Sequence, residues 1–203
     1  MNINNITKYN NNIINDINNI INESNINNKF KYLNEIYNKM IDNNTKINEY
    51  GKYVGELNND KREGRGIMYY NVSIWKGDRY EGEWKNNKKE GKGIYYYTNG
   101  KYKNDRYEGE YKNNQPEGKG IYYFNDGGRY EGEWKNGYRE GKGIHYFNNG
   151  DRYEGEWKND NREGKGIMYY NNGDREMGDY LSGKKVGKHA TLKSNGNITS
   201  KNY

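Results

Sequence analysis

The sequence YEGEWKNNKKEGKGIYYY occupies residues 80–97, and the similar sequence YEGEWKNGYREGKGIHYF occupies residues 130–147. Further copies begin at Tyr53, Tyr107 and Tyr153, and a degraded copy, EMGDYLSGKKVGKHATLK, begins at Glu176. The copies are spaced by 27, 27, 23, 23 and 23 residues. The extra residues fall within the segments NVSIWKGDR and TNGKYKNDR, which marks these segments as loops. Self-similarity of this kind indicates repeats that stack on their neighbours.

Each copy divides into two short strands joined by a turn. YEGEWK alternates charged residues with apolar or small ones, GKGIYYY is rich in glycine and aromatic residues, and the Asn-rich segment between them is typical of a turn. A single hairpin of this length is not stable in water, so successive hairpins are expected to pair edge to edge. We therefore predict a mainly β protein, an elongated single-layer array of stacked antiparallel β-hairpins.

The two-residue period of a strand predicts which side chains share a face. Tyr80 and Trp84 should lie on one face with Gly82, which leaves room for a ring from the adjacent strand, while Glu81 and Glu83 should lie on the other. Stacking then aligns equivalent side chains into two aromatic ladders: Tyr53, Tyr80, Tyr107, Tyr130 and Tyr153, and Leu57, Trp84, Tyr111, Trp134, Trp157 and Tyr180. In the second strand of each hairpin an isoleucine and a tyrosine share a face and recur unchanged at Ile67/Tyr69, Ile94/Tyr96, Ile121/Tyr123, Ile144/Tyr146 and Ile167/Tyr169.

The composition of the chain limits what it can be. Only 31% of the 203 residues are hydrophobic, whereas Tyr (24) and Gly (27) are abundant, so apolar burial must come mainly from rings packed on glycine-rich backbone. The net charge of +6 is spread over repeats that each carry both signs, which argues against nucleic-acid binding. With no cysteine, disulfides, thiolate catalysis and cysteine-ligated zinc are excluded.

No residue pattern indicates an enzyme, a metal site or a cofactor site. His145 and His189 lie in different repeats and have neither catalytic-triad nor metal-ligand spacing, and His145 occupies the position of Met68, Tyr95 and their equivalents. The motif GKGI lacks the spacing of a phosphate-binding loop. We therefore predict no catalytic, metal-binding or cofactor-binding residues.

The pattern Y-x-G-x-W-x-x-x-x-x-x-G-x-G resembles the MORN repeat, and the resemblance extends from residue 53 to about residue 192. It implies an elongated hairpin array of the kind found in scaffold proteins of the cytoskeleton, cilia, division apparatus and membrane junctions. Binding of anionic phospholipids has also been suggested for the family. The first copy has Val54 and Leu57, and the sixth has Glu176 and His189, where the others have consensus residues, and we interpret these two copies as caps.

Three segments follow from this reading: an Asn/Ile-rich N-terminal segment (1–50), the repeat array (51–198) and a short tail (199–203). Isoleucines between residues 13 and 21, and apolar residues between about 29 and 43, have helical spacing, so the N-terminal segment is predicted to form one or two amphipathic helices or to be partly disordered. It could cap the edge of the first hairpin, or it could bind a partner or a second copy of the chain.

The leading functional hypothesis is a non-enzymatic scaffold or adaptor that binds protein partners, a second copy of this chain among them. Tyr and Trp dominate binding hot spots, which makes the ladders the candidate partner-binding surface. The alternative is that these rings are the core of a thin sheet. The candidate residues are Tyr80, Trp84, Tyr107, Tyr111, Tyr130, Trp134, Tyr153 and Trp157.

A second hypothesis is a peripheral membrane adaptor that binds anionic phospholipid through the basic C-terminal region, with Lys184, Lys185 and Lys188 as candidates. A regulatory or antitoxin-like binding protein is a further alternative. The N-terminus has no secretory signal pattern, and no apolar run is long enough to span a membrane. We expect a cytoplasmic protein, associated with the cytoskeleton or the membrane periphery.

Overall fold

The computed structural model describes residues 45–203, which form one antiparallel sheet of 14 strands whose order in the sheet follows their order in the chain. This confirms the prediction of a mainly β, single-layer array of hairpins. The predicted N-terminal helices lie outside the described residues. The strands are β1 (Thr45–Asn48), β2 (Gly51–Asn58), β3 (Lys61–Tyr70), β4 (Arg79–Lys85), β5 (Lys88–Tyr96), β6 (Arg106–Lys112), β7 (Gln115–Tyr123), β8 (Arg129–Lys135), β9 (Tyr138–Tyr146), β10 (Arg152–Lys158), β11 (Asn161–Tyr169), β12 (Arg175–Leu181), β13 (Lys184–Leu192) and β14 (Ile198–Asn202).

The loops between hairpins contain two short 3₁₀ turns, Ser73–Trp75 and Gly100–Tyr102. Both lie in the longer loops, where the sequence placed the extra residues of the 27-residue spacings. The loops are therefore the place where repeat length varies without changing the sheet.

The turn within each hairpin of the six sequence copies contains two residues with positive φ. At Asn86 and Asn87 the φ angles are 48° and 68°, and Asn136 and Gly137 have φ angles of 51° and 84°. Positive φ at both central residues defines the two-residue turn whose twist matches that of the flanking strands, and Asn and Gly adopt it at low cost. The Asn-rich composition between the two strands of each copy thus sets the register of the hairpin.

The first face of the sheet, here called the aromatic face, carries the core. The ring of Tyr80 lies across Gly82 and Gly93, where an added Cβ would come within 2.5 and 2.3 Å of the Tyr80 hydroxyl. The hydroxyl donates a hydrogen bond to the carbonyl oxygen of Glu83 at 3.1 Å. The Tyr80 ring thus lies over Gly82 of its own strand and over Gly93 of the adjacent strand. The prediction that Gly82 leaves room for a ring from the adjacent strand was therefore wrong, because the ring belongs to the same strand.

The rings of neighbouring repeats contact one another edge to face. Tyr80 packs against Trp84 and Tyr111 with centroid distances of 5.1 Å in both pairs, and Tyr107 packs against Trp134 at 5.0 Å. The indole N–H of Trp84 donates a hydrogen bond to the carbonyl oxygen of Gly66 in the preceding repeat at 3.1 Å. Each such ring pair adds about 0.5–1.5 kcal/mol to the stabilisation from buried area, so the core is one continuous chain of aromatic contacts.

Carboxylates bind each repeat to the next one along the edges of the array. Asp78 accepts hydrogen bonds from the backbone N–H of Thr98 at 2.8 Å and from the Tyr95 hydroxyl at 2.9 Å. At the opposite edge Glu90 accepts one from the N–H of Asn113 at 3.0 Å. Equivalent contacts recur in other repeats, so the loops and turns of successive hairpins are held together by side chain to backbone bonds.

The sixth copy replaces the consensus ring with a ring from the opposite strand. Glu176 stands where the other copies have tyrosine, and His189 stands where they have glycine. The imidazole of His189 lies over Gly178, whose added Cβ would come within 2.3 Å of the ring, and it is 1% exposed. Its Nδ1 is 3.2 Å from a carboxylate oxygen of Glu176. The two departures from the consensus therefore compensate for each other.

Both ends of the array extend further than the sequence pattern predicted. β1 pairs with β2, with Thr45 opposite Val54, and thus lies within the segment assigned to residues 1–50. β14 pairs with β13 and takes in most of the tail assigned to residues 199–203. These short strands cover the outer edges of the first and last hairpins.

Candidate functional site: a trough on the second face of the sheet

The eight rings proposed from sequence as partner contacts are buried in the aromatic face. Their exposed fractions range from 0% to 8%: Tyr80 0%, Trp84 3%, Tyr107 0%, Tyr111 4%, Tyr130 0%, Trp134 8%, Tyr153 0% and Trp157 6%. A partner could contact little of any of them without rearrangement of the core. Their position agrees with the alternative interpretation, in which the rings are the core of a thin sheet.

Basic side chains help to cover the aromatic face. The ammonium group of Lys89 lies 4.5 Å from the ring centroid of Tyr95, and the guanidinium groups of Arg62 and Arg139 lie 4.2 and 4.4 Å from those of Trp84 and Trp157. Burial, together with the charge on Arg62, lowers the pKa of Lys89 to about 8. The attraction between a cation and an aromatic ring is strongest where water is excluded. These basic side chains therefore cover the core and stabilise it.

The three lysines proposed for lipid binding do not form one patch. Lys185 donates a hydrogen bond to a carboxylate oxygen of Glu176 at 2.6 Å on the aromatic face. Burial opposes the charge on Lys185, but this bond raises its pKa above the usual value. Lys184 and Lys188 are exposed, Lys184 directly after the turn between β12 and β13 and Lys188 on the opposite face from Lys185.

The two histidines are packed among rings. His145 lies 4.3 Å from Phe147 and 6.1 Å from Trp157 between ring centroids, and burial together with the charge on Arg139 lowers its pKa to about 4. His189 contacts Tyr180 and Tyr203 edge to face. Within residues 45–203 no group of three or more His, Asp or Glu side chains could hold a metal ion.

The second face of the sheet forms a long open concavity, here called the trough, with a volume of about 1480 Å³. It extends from Val54 on β2 to Lys165 on β11 and is lined by similar residues in each repeat: a pair of glycines, an isoleucine or valine, glutamates, and a lysine or arginine. Ten adjacent strands about 4.8 Å apart give the trough a length of about 43 Å.

One wall of the trough carries the isoleucine row: Ile67, Ile94, Ile121 and Ile144. The register places each isoleucine directly opposite glutamates of the neighbouring strands, as Ile94 is opposite Glu81 and Glu108. Glu81 pairs with Arg79 at 3.3 Å, and Arg79 lies 4.3 Å from the ring centroid of Tyr96. These glutamates thus have counter-charges outside the trough, and the isoleucines form the apolar part of this wall.

The opposite wall carries the lysine row: Lys92, Lys119, Lys142 and Lys165. The register places Lys92 directly opposite Glu110 and Lys119 opposite Glu133. Among the described residues, no ion pair or side-chain hydrogen bond involves the ammonium groups of these four lysines. Each repeat therefore presents one exposed cationic donor to the trough.

The glutamates between the lysines have a structural role. Glu83 accepts a hydrogen bond from the backbone N–H of Lys92 at 3.1 Å and lies over Gly91, whose φ is 70° and whose added Cβ would come within 2.6 Å of the carboxylate. Glu56 accepts an equivalent bond from Arg65 at 2.9 Å. Only glycine allows both the left-handed backbone and the close carboxylate. The glutamate of the first strand and the Gly-Lys-Gly sequence of the second strand therefore form this wall together.

The trough could not be predicted from the sequence, although the sequence contains a relevant signal. An isoleucine recurs unchanged in the second strand of each of the first five copies, and the structure places it on the face opposite the two ladders. A strand's alternation assigns residues to a face, but it does not reveal which face is concave. The isoleucine and lysine rows could therefore be listed from the sequence but not recognised as two walls of one site.

The repeat itself identifies the family. The sequence profile of the MORN repeat matches residues 53–72, 80–102, 107–129, 130–152 and 153–175, more than half of the chain. The chain belongs to the MORN repeat family, as the resemblance indicated. Comparison with curated proteins gave no match.

Solved structures with a similar sheet include the TCP domain of SAS-4 from Drosophila melanogaster in complex with a proline-rich motif of Ana2. The two chains are 16% identical, the match covers 78% of this chain and 88% of that one, and the TM-score is 0.45. The TCP10 domain of CPAP from Danio rerio, in complex with a peptide of STIL, is 13% identical, with 78% and 82% coverage and a TM-score of 0.29. No helix in the described residues is long and apolar enough to cross a membrane.

Proposed function

We propose that this chain is a non-enzymatic protein-interaction module that holds a segment of a partner protein in the trough. The observation that supports this proposal is the continuous, solvent-open trough on the face opposite the core, lined by equivalent residues from successive repeats. A single-layer sheet buries only one face by itself, and here the rings occupy that face. The isoleucine row remains as apolar surface that a partner can bury.

The occupant is a chain segment rather than a small molecule. The trough is about 43 Å long and open along its length, whereas pockets for small molecules enclose most of the ligand's surface. A segment that runs across the strands meets the same set of side chains every two strands. Affinity would then grow with the number of repeats that the segment contacts.

A library of random peptides of about 16 residues, long enough to span the trough when extended, would test this proposal. Peptides are selected on the immobilised full chain and then assayed on two variants. The trough variant carries Ile94→Thr, Ile121→Thr and Ile144→Thr, which keep β-branched residues in the strands but remove apolar surface. The control variant carries Tyr102→Thr, Tyr138→Thr and Leu181→Thr, three exposed residues outside the trough.

Selected peptides should bind the wild-type chain and the control variant equally and the trough variant at least about tenfold more weakly. Circular dichroism must show that all three proteins keep the same β-sheet signal. Peptides that bind all three proteins with the same affinity would place the site elsewhere, and the proposal would then fail.

The membrane hypothesis has less support from the described residues. Lys185 is bound to Glu176, so only Lys184 and Lys188 of the proposed lipid site have free charges. We propose lipid binding only as the alternative to be tested, by co-sedimentation of the full chain with anionic liposomes at low and physiological salt. Binding that persists at physiological salt and weakens with Lys184→Gln and Lys188→Gln would favour it over the trough.

A further inference from the structure

We infer that the trough is built for a segment in the polyproline II conformation, supplied by a proline-rich stretch of a partner protein. This inference rests on the proposed function and specifies the conformation of the bound segment. Three features of the described residues support it: the distance at which equivalent side chains recur along the trough, the exposed lysines and the isoleucine row.

The spacing of the trough matches the polyproline II helix. Equivalent side chains recur every two strands, a distance of about 9.4–9.8 Å. Three residues of polyproline II, one turn, span about 9.3 Å. Seven residues of an α-helix span about 10.5 Å, so a helix would drift out of step by about 3–4 Å over four repeats unless it supercoiled. An extended strand presents the same side only every second residue, about 6.7 Å, which does not match.

The lysine row meets the hydrogen-bonding needs of such a segment. A polyproline II helix has no internal hydrogen bonds, so its carbonyl groups need donors. Lys92, Lys119 and Lys142 present one ammonium group per repeat, and none of them pairs with a carboxylate among the described residues. One lysine per repeat therefore corresponds to one carbonyl group in every three residues of the segment.

The isoleucine row meets its apolar needs. Ile94, Ile121 and Ile144 stand one repeat apart on the wall opposite the lysines. One proline of each turn would pack against one isoleucine, and the segment would lie over the backbone of the glycine pairs between the two walls. Proline has already lost backbone freedom in the unbound state, so less entropy is lost when the segment binds.

Three uncharged peptides of equal length test the inference on the full chain by fluorescence anisotropy: (Pro-Pro-Gln)5, (Ala-Ala-Gln)5 and (Gly-Gly-Gln)5. The first adopts polyproline II, the second can form a helix, and the third is flexible. At about 3.1 Å per residue the first spans about 46 Å, the length of the trough. A shorter peptide, (Pro-Pro-Gln)2, contacts only about two repeats.

We expect (Pro-Pro-Gln)5 to bind at least about tenfold more tightly than the other two 15-residue peptides and than (Pro-Pro-Gln)2. The triple variant Lys92→Gln, Lys119→Gln and Lys142→Gln should weaken this binding by about tenfold or more. The matched control is Lys85→Gln, Lys112→Gln and Lys135→Gln, which changes one exposed lysine per repeat at the strand ends and should leave it unchanged.

Three outcomes overturn the inference, and each is distinct from failure of the proposed function. Tighter binding of (Ala-Ala-Gln)5, or no binding of (Pro-Pro-Gln)5, excludes polyproline II, while the peptide selection described above decides separately whether the trough binds any segment. Binding of (Pro-Pro-Gln)5 that is equal in the trough-lysine variant and in the matched control places the peptide at another site and also overturns the inference.

Discussion

The two faces of the sheet are made from the same strands, yet they differ in what covers them. On the aromatic face Tyr107 is 0% exposed, because its ring lies on two glycines and between neighbouring rings. On the other face Ile121 and Tyr123 of the adjacent strand remain partly exposed, and Ile121 lines the trough. A single-layer protein can thus place its core on one face and leave the second for binding, and this comparison can be tested by matched substitutions on the two faces.

The largest expected difference is between Tyr107→Ala and Tyr123→Ala. Removal of the buried Tyr107 ring breaks the aromatic chain in the middle of the array and should lower the free energy of unfolding by about 3–5 kcal/mol. The Tyr123 ring on the trough face is partly exposed and stacks with the guanidinium group of Arg106 at 4.2 Å, so Tyr123→Ala should cost about 1 kcal/mol or less. Urea unfolding followed by circular dichroism measures both. Equal losses would mean that the core is shared by the two faces.

The exchange in the sixth copy predicts strong coupling between residues 176 and 189. Glu176→Tyr alone places two rings over Gly178, and His189→Gly alone empties the site, so each should lower the free energy of unfolding by about 1–3 kcal/mol. The double variant restores the consensus pair and should recover most of the loss. A coupling energy of about 1–3 kcal/mol is expected from the double-mutant cycle. Additive losses would show that the two departures are independent.

His145 makes the aromatic face sensitive to acid. Its pKa is about 4 in the folded chain and 6.5 in its ordinary state, so the unfolded chain binds more protons between these values. The free energy of unfolding should therefore decrease as the pH falls from about 6.5 to 4. His145→Met, which copies the residue found at 68 and 168, should remove this part of the decrease. Urea midpoints at pH 7 and 4.5 would compare the variants, and identical decreases would contradict the assignment.

The smallest expected effect is that of breaking an exposed ion pair on the trough side, compared with a buried ion pair on the aromatic face. Arg79 and Glu81 on the trough side are both about one third exposed, so Arg79→Gln should change the free energy of unfolding by less than about 1 kcal/mol. Lys185→Gln leaves Glu176, which is 5% exposed, without its cation and should cost more. Thermal unfolding at low and high salt measures both variants. A larger loss of stability from Arg79→Gln than from Lys185→Gln would indicate that ion pairs on the trough face stabilise the fold.

Much of the fold could be predicted from the sequence, because repeats and two-residue alternation report directly on local structure. The spacing of the copies predicted the repeated hairpins, and the Asn-rich segments predicted their turns. The two-residue alternation correctly placed Tyr80 and Trp84 on the same face. The swap of Glu176 and His189 was visible as two separate departures from the consensus. Their mutual contact was not, because alternation carries no information on how far a ring reaches across to the next strand.

The site was harder to predict for a physical reason. Tyr and Trp are common at binding surfaces, and a thin sheet with low hydrophobic content suggested that some rings would be exposed. Instead Tyr80 and its equivalents lie over glycines, and the rings of the second ladder pack against them edge to face. Cations such as Lys89 and Arg139 cover the rings further. That arrangement depends on long-range packing between repeats, which composition and spacing do not encode. We therefore propose the isoleucine face, rather than the rings, as the interaction surface.

Methyl NMR of the full chain, during titration with a peptide selected from the random library, tests the central claim most directly. Isoleucine methyl groups report on the trough at Ile67, Ile94, Ile121 and Ile144, and methionine methyl groups report on the aromatic face at Met68 and Met168, which are 1% and 8% exposed. The account predicts large shifts of the isoleucine signals and little change in these two methionine signals. Shifts of the two methionine signals with unchanged isoleucine signals would contradict it and return the binding site to the aromatic face.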